Sequence, residues 1–105
     1  MTRRSMNALQ KRNAELRRGS TRQLVNFIET DIETAMTFLQ LADTELGMEN
    51  MERVTRLVVS ARTAYETTGK FLARVPDPKD NQRLREKLLR LEEAIRDVEH
   101  RMRSR

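Results

Sequence analysis

An all-α fold, an antiparallel up-down-up three-helix bundle with a short basic N-terminal helix or arm, is predicted by three observations. Apolar residues recur at alternating steps of three and four in three long stretches, the spacing of one face of a helix packed against others. The stretches are interrupted only at Gly47 and at Pro76-Asp77-Pro78. Three Gly and two Pro in 105 residues supply too little turn chemistry for a sheet of short strands. Charged residues at 35% against 37% apolar suit helices with one buried stripe and a wet remainder.

The first nineteen residues hold six basic side chains against one acidic, a net of +5, which equals the formal charge of the whole chain. Residues 20–75 carry a net of −2 and residues 76–105 a net of +2. The basic character therefore belongs to an arm, residues 1–19, attached to a nearly neutral bundle, residues 20–105. Met6, Leu9 and Leu16 give the arm a weak helical face, and Gly19 is expected to stop it. Ser20-Thr21-Arg22-Gln23 then reads as a capping box that starts a new helix.

The first bundle helix is expected over about residues 21–46. Its seam is Val25, Ile28, Ile32, Ala35, Leu39, Ala42 and Leu46. Leu24, Phe27, Phe38 and Leu41 widen the seam on one side and Met36 on the other, an arc broader than one neighbour covers. Gly47 is placed where a left-handed C-cap sits, and the short connection forces the next helix to run antiparallel. The second helix, about 49–75, follows Met51, Val54, Val58, Ala61, Tyr65, Thr68, Leu72 and Val75. Beside that seam Leu57, Ala64 and Phe71 recur every seven residues and are candidates to meet a third helix. Asp77 as N-cap and Pro78 at the first helical position open the third helix, about 78–103, along Leu84, Leu88, Leu91, Ile95, Val98 and Met102. Acid-first i,i+4 pairs such as Glu49–Arg53, Glu66–Lys70 and Glu99–Arg103 are read as solvated faces.

Catalysis finds little support. Without Cys, thiolate nucleophiles, thiolate metal sites and disulfides are excluded. Glu93, Asp97 and His100 share a helical face, but one His per chain builds a di-iron-type site only in a symmetric dimer, so no metal or cofactor is assigned. Glu29, Asp31 and Glu33 alternate on a helix and point different ways. Tyr65 falls in the seam and is read as packing, with its hydroxyl at an edge. The expectation is a protein that is not an enzyme and takes no small-molecule substrate.

Two binding roles remain. The surplus apolar residues Phe27, Phe38, Leu41, Leu57, Ala64 and Phe71 point to a protein–protein interaction module, self-associating or binding a partner helix. Alternatively Arg3, Arg4, Lys11, Arg12, Arg17 and Arg18 form a phosphate-neutralising set for nucleic acid or another polyanion. A solvated tail competes with that reading, and a membrane surface fits less well because the arm buries little apolar area. No stretch has the length of a membrane span and the N-terminus lacks an apolar signal core, so a cytoplasmic address is expected. Seventeen Arg to four Lys suggests a GC-rich bacterial genome.

The segment Asn50-Met51-Glu52-x-x-x-Arg56-Leu57-x-x-x-Ala61 resembles the start of the second helix in microtubule-interacting-and-transport (MIT) domains, and tetratricopeptide-type hairpins are similar over the same stretch. Met51 stands where the family has an aromatic residue and Val54 where a small Ala is common. The resemblance implies a non-enzymatic binder of helical or extended peptides. It also implies a groove lined by Leu57, Ala64 and Phe71 together with the third helix.

Overall fold

In a computed structural model, which describes the backbone of residues 2–104 and the side chains of residues 19–104, the described residues form three helices and no strand. They are α1 (Thr2–Gly47), α2 (Met51–Leu72) and α3 (Pro78–Arg103). All three pack on one another as the predicted all-α bundle. The core follows the three seams. Ile28, Ala35, Ala42, Val54, Ala61, Leu84, Leu91 and Ile95 are almost completely shielded from water, with Thr68 among them. The Thr68 hydroxyl donates to the Ala64 carbonyl at 2.7 Å, which removes the penalty of an unpaired buried polar group.

The expected break at Gly19 does not occur. Helix α1 runs without interruption from Thr2 to Gly47, so Ser20 caps nothing and the basic segment continues the first bundle helix. Nothing lies within 4 Å of where a Gly19 side chain would sit, so no tertiary contact turns the chain there. One helical Gly costs about 1 kcal/mol, too little to end a helix when its neighbours favour continuation. At 1.5 Å per residue α1 is about 69 Å long and α2 about 33 Å. The 73 Å longest dimension of the molecule is thus essentially the length of α1.

The first turn also differs from expectation. No Gly has a positive φ; the left-handed residue is Glu49, with φ of 61°. Around it the Asn50 amide donates to the Glu45 carbonyl at 3.0 Å and the Glu49 amide to Leu46 at 3.1 Å, the paired bonds of a Schellman motif. Gly47 is therefore the last helical residue, two positions before the left-handed one. Asn50 then begins α2, its side chain accepting from the Arg53 amide at 3.4 Å. A single asparagine closes one helix and opens the next, which sets the register of the hairpin.

Helix α2 stops at Leu72, short of the expected 75. Val75 is nevertheless buried. Asn81 of α3 donates to the Leu72 carbonyl at 3.0 Å, which also accepts the Val75 amide at 3.1 Å, and to the Val75 carbonyl at 3.2 Å, tying the start of α3 to the turn after α2. As expected, Asp77 caps α3 by accepting from the Lys79 and Asp80 amides at 2.8 and 3.1 Å, with Pro78 behind it.

Candidate interaction surface

Helix α3 lies in one of the two grooves of the α1/α2 hairpin, its Leu84, Leu91, Ile95 and Val98 seam buried in the core and ion pairs along its edges. Glu29 of α1 takes Arg83 at 2.6 Å and Lys87 at 2.9 Å. These two cations hold its carboxyl below the usual carboxylate range. Farther along, Asp43 of α1 and Asp97 of α3 share Arg101. From α2, Arg62 reaches Glu99, and the Tyr65 hydroxyl donates to Glu92 at 3.0 Å. That bond raises the phenol's pKa and keeps it protonated, consistent with its reading as a packing residue. Pairs between helices are made beside those expected along them: Glu99 meets Arg62, and Arg53 meets Glu45 at 3.3 Å.

The opposite groove has no helix in it among the described residues. Arg62, Tyr65 and Gly69 are the flank of α2 that meets α3. Leu57, Ala64 and Phe71 stand on the other flank, toward α1. Phe71 meets Phe27 edge to face, and Arg53 meets Glu45. These two contacts mark the ends of the open face. The expectation that the Leu57, Ala64, Phe71 row meets the third helix is therefore corrected: it borders α1, and a groove shared between that row and α3 does not form. Both grooves of the hairpin are apolar; Glu29 and Asp43, which pair with α3, lie on the other flank of α1, and Asp31 and Glu45 lie on this one.

Of the six predicted surplus residues, Phe27 and Leu41 are the most exposed, at 48% and 43%. Phe38, Leu57, Ala64 and Phe71 are half-buried. Thr30, Thr34, Ser60 and Thr67 stand among them, so the face from Thr34 to Leu41 carries no charge, and Asp31 lies near its Phe27 end. Charge returns at the ends, with Glu45 and Arg53 at one and Arg74, over the Phe71 ring at 5.3 Å, at the other. Beside Phe27 a shallow hollow is lined by Gln23, Asn26, Thr30, Asp31 and Thr34.

Sequence reasoning did not single out Met48, Val59 and Leu89, which are also exposed. Leu57-Val58-Val59 and Leu88-Leu89 carried the signal, because adjacent residues on a helix are about 100° apart and cannot all face one core. The side chains of Arg3, Arg4, Lys11, Arg12, Arg17 and Arg18 lie outside the described residues. Of the candidate metal trio, Asp97 is bound to Arg101 and His100 is exposed. Among the described residues no three His, Cys, Asp or Glu side chains gather as a metal site. Among them also no helix is long and apolar enough to cross a membrane.

No protein-family model, no curated protein and no solved structure matches the chain.

Proposed function

We propose that the chain is a small non-catalytic helical interaction module, and that the α1/α2 face turned away from α3 takes a second copy or a partner helix. One observation carries this reading: from Thr34 to Leu41 and from Leu57 to Ala64 that face is apolar and uncharged, with Asp31 and Arg74 toward its Phe27–Phe71 end and Glu45 and Arg53 at the other. Depletion of charge at the centre with a polar rim is the composition of protein–protein interfaces. The small side chains of Ser60 and Ala64 leave room for another backbone to approach. The test is crosslinking of the intact chain in its native cell, compared with Ser60→Glu. Crosslinked species lost in the variant support the reading. An identical pattern from both proteins rejects it.

A second reading rests on charge. Residues 1–19 carry a net of +5, enough basic groups to neutralise several phosphates. It predicts DNA or RNA affinity that falls steeply with salt and disappears when residues 1–19 are deleted. Equal binding by the intact and shortened chains disposes of it.

A further inference from the structure

We infer that the occupant of the open face is a second copy of this chain, related by a two-fold axis parallel to the helices, so that α1 of each copy lies over α2 of the other. The inference rests on the interface reading of that face and adds the partner and its orientation.

The argument is charge complementarity. From Gln23 to Gly47 helix α1 contains five acids, Glu29, Asp31, Glu33, Asp43 and Glu45, and no base. Helix α2 contains four bases and two acids, and Arg74 follows it. Helix α3 consumes Glu29 and Asp43; Asp31 and Glu45 stand toward the open side of α1, Glu45 already in contact with Arg53 of its own chain at 3.3 Å. The corresponding edge of α2 carries Arg53, Arg56 and Arg74. Arg56 is loosely held, 4.0 Å from Glu52 with both side chains largely in water. The face therefore has an anionic edge and a cationic edge running side by side. A two-fold axis parallel to the helices sets each edge against its opposite, bringing Glu45 level with the partner's Arg53 and Arg56. A two-fold axis across the helices instead sets anionic edge on anionic edge and cationic on cationic, which electrostatic complementarity disfavours.

Shape agrees with this choice. Each helix of the pair runs antiparallel to both of its neighbours, giving a four-helix layer in which Thr34, Ser60 and Ala64 allow close approach. From Phe27 to Glu45 the face is about 27 Å long at 1.5 Å per residue. Two helices about 10 Å apart make it about 20 Å wide. The two copies together bury on the order of 1,000 Å², the lower limit of a specific interface, so the dimer is weak and concentration-dependent.

Sedimentation equilibrium of the intact chain from micromolar to millimolar concentration tests this, with circular dichroism showing that each variant keeps its helices. The expected result is a monomer–dimer equilibrium that Ser60→Glu weakens by roughly tenfold or more. Glu45→Arg and Arg56→Glu are each felt twice across the axis and weaken it roughly fivefold. The double variant, with the charges exchanged, returns close to the native value. A dimer weakened by Ser60→Glu but not restored by the double exchange overturns the orientation. A dimer indifferent to Ser60→Glu, or a monomer at every concentration, overturns the second copy. In the last case, crosslinks still lost on Ser60→Glu leave the interface reading standing, and unchanged crosslinks remove that as well.

Discussion

Phe27 of α1 and Phe71 of α2 meet edge to face, ring centroids 5.6 Å apart and planes at 88°, at the end of the hairpin where α2 finishes. The Arg74 guanidinium stands 5.3 Å from the Phe71 centroid. Phe71 is half-buried and packs on the core, whereas Phe27 keeps nearly half its surface in water. Phe71→Ala is expected to cost about 2 kcal/mol and Phe27→Ala about 1 kcal/mol, less than full burial of a Phe is worth. A double-mutant cycle by urea unfolding should return a coupling of about 0.5–1.5 kcal/mol, the contribution of the aromatic pair beyond area. Additive single effects would show that the rings only share a neighbourhood.

The first turn calls for opposite substitutions at two nearby positions. Gly47 is helical with open space around it, so Gly47→Ala should stabilise by about 0.5–1 kcal/mol. Glu49 occupies the left-handed position that favours glycine, so Glu49→Gly should also stabilise, by about 0.5–1 kcal/mol. Thermal melts read both. Destabilisation by Gly47→Ala would return the left-handed residue to position 47.

Asn81 ties the start of α3 to the end of α2 through two carbonyls. Asn81→Ala removes both donors and should cost about 1–2 kcal/mol in denaturant unfolding. Amide exchange should show the loss first at the α2–α3 turn. Protection that is unchanged there would mean that water substitutes for the amide.

Acid should loosen α3 from α1. The Glu29 carboxyl has its pKa lowered from 4.5 by Arg83 and then Lys87. A depressed folded-state value adds stability above the unfolded pKa, and that contribution is lost as pH falls through the folded value. Unfolding free energy should therefore decline below about pH 4.5, and Glu29→Gln should flatten part of that decline while leaving the neutral-pH stability within about 1 kcal/mol. An identical acid limb in the two proteins would assign the acid sensitivity to other carboxylates.

The seams were legible because helical period alone marks which residues share a face. Val25 through Leu46, Val54 through Leu72 and Leu84 through Val98 are buried in the pattern their spacing implies. Asp77 and Pro78 were legible for a similar reason: a cap followed by an N-terminal proline is local chemistry within a few residues. Gly19 and Gly47 misled because glycine permits a left-handed turn without requiring one. Whether the chain turns depends on what packs around it and on where the next cap falls.

Sequence by itself thus determined the three helical seams, the faces they bury and the antiparallel hairpin, though not where α1 begins or α2 ends, since each seam follows from contacts a few residues apart. Only the tertiary structure decided which of the hairpin's two grooves receives α3. Glu29 with Arg83 and Lys87, and Asp43 with Arg101, join residues more than fifty positions apart, and no periodicity encodes that choice. With α3 drawn to that flank of α1, the Phe27, Leu41, Leu57, Ala64 and Phe71 side was left uncovered.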